Sequence, residues 1–229
     1  MTSIETLVDR QLNRLALRQR AQGVRSAAAE AAVSPLRVIT ISRQMGSGGH
    51  TLAVRLAEDL DFEFIDRQII DFITQNTGAQ AKLIASLDER TRSGVDLWVE
   101  GILHGRYVDR SEYTHWLIKS ITAMAEHGNA VILGRAGNVI LAKRGGLHVR
   151  VVAPKELRIG NLVKHEGISS AEATRRVDES DAQRRKLYRE DFGADIEDPL
   201  SYHLVLNMGR MAMDEALEIV RAAWTRRIT

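Results

Sequence analysis

The sequence predicts an α/β protein, in which helices cover both faces of a parallel β-sheet. Short apolar segments rich in β-branched residues have the length of buried strands, at 36–42, 62–66, 130–133, 147–152 and 202–207. Stretches with helical periodicity separate these segments, and strands that alternate with helices form parallel sheets. The first strand runs into a glycine-rich loop, and ligands of such sheets bind beyond the carboxyl ends of the strands.

The helices are predicted from apolar periodicity and from capping residues. After the glycine loop, Leu52, Leu56 and Leu60 recur on one helix face. Ser169 and Glu172 have the spacing of a capping box, which marks a helix start. The predicted helical segments are 51–60, 67–128 (as more than one helix), 155–164, 169–188 and 213–224.

Residues 1–35 predict an appended helix followed by an alanine-rich linker, ahead of a main domain at 36–229. The apolar positions of this helix share one face, and they are Ile4, Leu7, Val8, Leu12 and Leu15. An apolar face must be covered, either by the chain's own domain or by a second copy. Both alternatives stay open, so a homodimer through this helix is one expectation.

The composition excludes several classes of protein. The chain has 229 residues, no cysteine and a formal net charge of +2, so disulfides and thiolate metal sites are excluded and nucleic acid is an unlikely partner. No run of about 18 apolar residues exists, which predicts no membrane span. The N-terminus lacks the pattern of a signal peptide, so a cytoplasmic location is expected.

The loop ISRQMGSGGHT, residues 41–51, has the features of a phosphate-binding loop. In such a loop, consecutive backbone N–H groups converge on an anion, and the following helix adds its positive end. The hydroxyl of Thr51 can also bind a metal ion. The candidates for binding nucleotide phosphates are Gly46, Ser47, Gly48, Gly49, His50 and Thr51. A plain tight turn is the alternative interpretation.

The loop departs from the pattern G-x-x-x-x-G-K-[ST], since Arg43 stands at the first glycine, Gly49 at the lysine and His50 at the residue after the lysine. The lysine normally neutralises charge on the phosphates during transfer. Another cation must therefore replace it, or the protein binds nucleotide without turnover. The candidate catalytic replacements are Arg43, Arg184 and Arg185, although an arginine-rich segment can also be a solvated helix face.

Several segments in order, ISRQMGSGG, FEFIDRQII, VILGRAGNVIL, an arginine-rich helix and YHLVLNMGR, resemble the cytidylate-kinase-like family of P-loop kinases over residues 36–225. The resemblance implies a P-loop kinase fold of three α/β/α layers, with a parallel sheet of order 2-3-1-4-5. It implies a helical insert that binds a nucleoside monophosphate (NMP) at 67–118 and a lid at 175–197. It also implies ATP as phosphoryl donor, with Mg²⁺.

The resemblance carries over to individual residues unevenly. Arg135 matches the arginine that helps to hold the monophosphate, and Asp66 matches an aspartate after the second strand. With Arg67 beside it, these are the candidate acceptor-binding residues, although Asp66 could equally be a helix cap. Ala136 stands where the family has an aspartate that helps to recognise cytosine.

Two functions follow as alternatives. The first is an ATP-dependent kinase acting on CMP, dCMP or another small phosphate-bearing acceptor, and the retained arginines favour it. The second is a degenerate kinase that serves as a nucleotide-binding sensor or regulatory module without turnover, and the missing lysine favours it.

Overall fold

The computed structural model describes residues 3–26, 36–104 and 108–228. At its centre every strand of a five-stranded sheet runs parallel to its neighbours, in the order β2-β3-β1-β4-β5. The strands are β1 Val38–Arg43, β2 Glu63–Ile65, β3 Ala130–Leu133, β4 Leu147–Val152 and β5 Leu204–Asn207. The predicted fold class and strand order are confirmed, and no observed strand extends more than one residue beyond its predicted segment.

Helices flank the sheet on both faces. They are α1 Ile4–Ser26, α2 Gly49–Leu60, α3 Arg67–Gln75, α4 Thr77–Ala85, α5 Glu89–Leu103, α6 Glu112–Glu126, α7 Gly137–Ile140, α8 Lys155–Glu166, α9 Ser170–Phe192 and α10 Met213–Ile228, with a 3₁₀ turn at Pro199–Ser201. None of the helices within the described ranges is both long and apolar enough to cross a membrane.

Alternation along the strands divides the core into two layers. Successive side chains of a strand point to opposite faces of the sheet. Val38 therefore packs in one layer, with helices α1 and α3 to α7, while Ile39 packs in the other, with α2 and α10. Both layers shield their side chains from solvent: Ile132 of β3 in the first layer and Leu52 of α2 in the second have no exposed surface. The sheet is thus buried on both faces, as its continuous apolar strands predict.

The apolar face of α1 packs on the chain's own domain. Val8, Leu12 and Leu15 are buried in the same core layer as Ile70 and Ile73 of α3. The intramolecular alternative accounts for these three residues, whereas Leu7 of the same predicted face is 42% exposed, and a homodimer through the helix stays a prediction. The predicted linker lies outside the described residues.

The predicted insert and lid correspond to helical segments. Helices α3 to α6 occupy 67–126, and α6 continues beyond residue 118 to lead into β3. Helices α8 and α9 pack together through a small apolar cluster of Leu162, Ala173 and Val177. Helix α9 begins at Ser170, five residues before the predicted lid boundary at 175. The division into insert and lid stays a prediction.

Candidate active site

The glycine loop between β1 and α2 is held in a conformation that needs glycine. Gly46 and Gly48 have φ angles of +76° and +82°, in the left-handed region. A Cβ on Gly46 would lie 2.4 Å from the carbonyl oxygen of Arg158 in α8, so the loop packs directly on that helix. Asn161 donates its side-chain amide to the Gly46 carbonyl at 2.8 Å, which fixes the loop from the same side.

The open donors of the loop are backbone N–H groups. Helix α2 begins at Gly49, its N-cap Gly48 has no capping side chain, and its first hydrogen bond runs from the Leu52 N–H to the Gly48 carbonyl at 3.0 Å. The N–H groups of Gly49, His50 and Thr51 therefore have no acceptor within the helix. Such a helix start favours an anion.

Three side chains of the loop have different roles. Ser47 is buried and donates to the Gln44 carbonyl at 2.8 Å, so its hydroxyl braces the loop. The exposed ring of His50 lies edge-on to Phe64 of β2, with ring centres 5.5 Å apart. The side chain of Thr51 is exposed at the start of α2.

Four arginines from four different elements line one cavity beside this loop, which we call the arginine cavity. They are Arg43 at the end of β1, Arg67 at the start of α3, Arg135 after β3 and Arg184 on α9. The cavity lies at the carboxyl ends of β1 and β3, where ligands of parallel sheets bind. The structure thus brings together four of the candidate site residues.

Burial and mutual repulsion perturb these cations. Desolvation, followed by the charge of Arg67, lowers the pKa of Arg43 to about 10. Desolvation and the charge of Arg43 lower the pKa of Arg184 to about 10. Both guanidinium groups remain charged at neutral pH, and their repulsion is a cost that a bound anion would relieve.

Arg43 and Arg184 have guanidinium N–H groups without a hydrogen-bond acceptor in the described ranges. Within the described part of the chain, the guanidinium of Arg43 makes no hydrogen bond. The buried Nη1 atom of Arg184 also has no hydrogen-bond partner among the described residues. A buried donor without a partner, such as Nη1 of Arg184, is rare in proteins, which together with the unbonded Arg43 guanidinium indicates that this cavity is adapted to an anion.

Two carboxylates, Asp71 and Asp66, organise the start of α3 and the arginines next to it. Asp71 of α3 pairs through both carboxylate oxygens with Arg135, and its Oδ2 lies 3.3 Å from Nε of Arg67. Asp66 accepts the Ile69 N–H at 3.0 Å and so caps α3, which agrees with one of its two predicted roles. Asp71 was not predicted, although its spacing of four residues from Arg67 on a helix was a signal for this pair.

A strained turn places Arg135. Gly134, Arg135 and Ala136 have φ angles of +88°, +50° and +53°, so two non-glycine residues lie in the left-handed region. Such residues cost on the order of 1 kcal/mol each and cluster at functional sites. The side chain of Ala136 is fully buried in the core, so in this structure the position of the family's aspartate does not face the cavity.

Helix α9 presents Arg184, but not Arg185, to the cavity. Arg184 Nη1 lies 3.8 Å from Oδ1 of Asp181, whose Oδ2 accepts a hydrogen bond from buried Arg158 at 2.8 Å. Arg185 lies outside the cavity and pairs with Glu197 at 3.4 Å. Consecutive helical residues point about 100° apart, so only one of the two can face inward. The structure therefore does not bring Arg185 to the other candidates.

The rest of the arginine-rich segment agrees with the solvated-face interpretation. Arg175 pairs with Glu172 and Glu179, and Arg176 pairs with Glu172 and Glu166, all at the surface of α8 and α9.

The residues at the loop are compatible with Mg²⁺ only as minor ligands. No cluster of three or more histidine, aspartate or glutamate side chains suited to a metal ion occurs in the described ranges. Mg²⁺ in phosphoryl-transfer enzymes takes few protein oxygens, because phosphates and water complete its shell. The exposed hydroxyl of Thr51 fits that limited role.

Comparison with known proteins gives consistent matches. The model of the cytidylate kinase-like family matches residues 38–210. The chain belongs to the cytidylate kinase-like family. It is 33% identical over 186 residues to a cytidylate kinase of Thermococcus kodakarensis, covering 81% of this chain and 86% of the relative. A cytidylate kinase of Pyrococcus horikoshii is 31% identical over 186 residues, with 81% and 87% covered.

A solved structure of an uncharacterised protein from Eubacterium ventriosum supports the fold. It has a TM-score of 0.65 and 18% identity, and the match covers 83% of this chain and 99% of that chain. At this identity the likeness concerns the fold alone.

This family member also has a buried polar network that sequence reasoning missed. The Tyr188 hydroxyl of α9 donates to Asn138 Oδ1 at 2.6 Å and lies 3.3 Å from Ser42 Oγ, to which Arg150 donates at 2.9 Å. Burial raises the pKa of Tyr188, so its hydroxyl stays protonated. The network anchors α9 to β1 and so fixes Arg184 over the cavity.

Proposed function

We propose that this protein is a nucleoside monophosphate kinase that transfers the γ-phosphoryl group of ATP to CMP, dCMP or a closely related acceptor. The observation that carries the proposal is the convergence of Arg43, Arg67, Arg135 and Arg184 on one cavity beside the glycine loop. Phosphoryl transfer is catalysed mainly by positioning and by neutralising charge, which this arrangement supplies. The cytosine acceptor is supported by the names of the curated relatives.

In this proposal the glycine loop binds the donor phosphates. The open N–H groups of Gly49, His50 and Thr51, together with the left-handed Gly46 and Gly48, form the cradle. Ser47 stabilises the conformation of the loop through its hydrogen bond to the Gln44 carbonyl. Mg²⁺, when bound with ATP, would neutralise charge on the phosphates, with the Thr51 hydroxyl as a protein ligand.

The acceptor phosphate would bind to Arg67 and Arg135. Asp71 pairs with both guanidinium groups, which orients them toward one point. Asp66 contributes by starting α3, so that Arg67 lies at the first position of the helix. Because guanidinium groups bind two oxygens at once, the pair suits a phosphate dianion.

The lid would be the predicted segment 175–197, which comprises most of α9 and the residues that follow it. Arg184 would contact the transferred group, whereas Arg185, paired with Glu197, would act at the rim of the lid. Closure over bound nucleotides would exclude water and so prevent hydrolysis of ATP.

The experiment that tests this function is a coupled ADP-release assay with ATP, Mg²⁺ and a panel of CMP, dCMP, UMP, AMP and GMP. The expected result is turnover with the highest kcat/KM for CMP or dCMP. The comparisons give no support to the alternative, a sensor without turnover. That alternative would nevertheless replace the kinase if no monophosphate gave turnover above background while ATP raised the melting temperature, Tm.

A further inference from the structure

Two departures of the glycine loop from the usual pattern, at positions 43 and 49, are in contact with each other. A Cβ on Gly49 would lie 2.5 Å from the Cβ and 3.1 Å from the Cγ of Arg43, and 3.2 Å from the Cβ of Val151. Contacts of 2.5 Å between carbon atoms are strongly repulsive. The φ angle of Gly49 is not in the left-handed region, so glycine is required here for space alone.

Neither neighbour of Gly49 can move aside easily. Arg43 and Val151 are paired residues of strands β1 and β4, in the centre of the sheet. The atoms in question are the first carbons of their side chains, whose positions follow the backbone. With arginine at position 43, a lysine at position 49 would therefore not fit this loop.

The side chain of Arg43 continues beneath the loop toward β3. Its Nη1 lies so close to Gly134 that a Cβ on that glycine would be 2.4 Å away. The guanidinium thus reaches the carboxyl end of β3 and faces the arginine cavity. There it keeps its charge, and among the described residues it has no hydrogen-bond acceptor.

We propose that the two departures are one exchange: Arg43 supplies from beneath the loop the cation that lysine supplies at position 49 of the usual pattern, and Gly49 leaves the space that Arg43 needs. This proposal rests on the proposed function in taking a nucleoside triphosphate as ligand. Arg43 would contact the β- and γ-phosphates, because the guanidinium fork binds two phosphate oxygens. Arg43 is then a catalytic residue, and Gly49 a positioning residue.

The experiment is an exchange of the two residues. The variants are Arg43→Gly, Gly49→Lys and the double variant Arg43→Gly/Gly49→Lys, which restores the first glycine and the lysine of the usual pattern. Arg43→Gly is expected to lower kcat about 100-fold or more, and Gly49→Lys to lower Tm by several degrees. The double variant is expected to regain Tm and at least about tenfold in kcat over Arg43→Gly. Additive losses in both quantities would overturn the proposal.

A second pair keeps the test decisive if Gly49→Lys does not fold. Gly49→Ala adds only the Cβ whose clash is described above, and alanine is otherwise the better helix former. It is expected to lower Tm, and Arg43→Gly/Gly49→Ala to restore it. Gly101→Ala in α5 is the matched control, since a Cβ there meets no atom within 4 Å and should not lower Tm. A Gly49→Ala variant as stable as this control would contradict the steric exchange.

Ligand binding separates failure of this proposal from failure of the proposed function. If the unaltered protein turned over no monophosphate, the kinase function would fail, while ATP and AMP binding would still test Arg43. Arg43→Gly is expected to lose most of the rise in Tm produced by ATP and little of that produced by AMP, which lacks β- and γ-phosphates. Equal losses for both ligands would overturn the role of Arg43.

Discussion

Arg184→Ala is expected to lower kcat by about 10²- to 10³-fold without destabilising the fold. A charge at about 4 Å from a phosphate oxygen, at an effective dielectric constant of about 20, contributes about 4 kcal/mol. Each 1.4 kcal/mol corresponds to about tenfold in rate, so full loss of this contribution in the transition state costs about 10³-fold. The range allows for partial replacement by water or by Arg43.

The stability of Arg184→Ala follows from the neighbours of the side chain. Arg184 is desolvated and repelled by Arg43, Arg150 and Arg67, while its one attractive partner among the described residues, Asp181, is 3.8 Å away. Asp181 keeps its hydrogen bond with Arg158, so the substitution leaves no buried charge without a partner. Tm is therefore expected to stay unchanged or to rise.

The assay compares Arg184→Ala with Arg175→Ala, a matched control on the same helix. Arg175 is 57% exposed and, among the described residues, pairs with surface glutamates, so its loss should change kcat less than about twofold and leave Tm nearly unchanged. Steady-state ADP release gives kcat, and thermal shift gives Tm and ATP affinity. The reasoning is refuted if both variants lose kcat equally, or if Arg184→Ala weakens ATP binding as much as it lowers kcat.

Three further predictions concern the surroundings of the site. Asp71→Asn removes the pair that orients Arg135, so the KM for the acceptor should rise about tenfold with a smaller change in kcat; a KM within twofold of the unaltered protein contradicts this. Deletion of residues 1–35 exposes the core residues that α1 covers and should lower Tm. Light scattering should show the same number of protomers before and after the deletion, whereas a change from dimer to monomer would establish the homodimer. Burial lowers the pKa of His127 and His148 to about 4, below the value near 6.5 in the unfolded chain. The contribution of the two neutral histidines to folding stability is therefore complete above pH 6.5 and is lost as the pH falls toward 4. Urea unfolding should show a loss on the order of 2 kcal/mol per histidine by about pH 4.5, and a constant unfolding free energy from pH 7 to 4.5 would contradict it.

The fold was predictable from the sequence because its strands are short, apolar and separated by clear helix signals. Buried strands such as 130–133 need an unbroken apolar run, and the left-handed loop residues Gly46 and Gly48 need glycine, so both leave local traces. The capping box at Ser169 also marked the start of α9 correctly. These features are determined by residues close together in the sequence, so they can be recognised in one sequence without its structure.

The candidate site was predicted less completely because its contacts join distant segments. Arg135 meets Asp71, 64 residues earlier in the chain, across a turn that no local pattern specifies. The choice between Arg184 and Arg185 depends on the phase of α9. That phase is visible in the buried residues Val177 and Tyr188, which lie seven residues before and four after Arg184 on the same face.

The distribution of carboxylates around the arginines of the cavity shows why Arg43 differs from its neighbours. Asp71 already binds Arg135 and lies beside Arg67, and Asp181 lies between Arg158 and Arg184. Arg43 has no ion-pair partner within 4.0 Å among the described residues, and the carboxylate that supports its charge, Asp66, caps α3. A buried cation without a partner persists only where function outweighs its cost. Arg43 is therefore the cation that ligand phosphates can neutralise without displacing a carboxylate, which is the property that a substitute for the loop lysine needs.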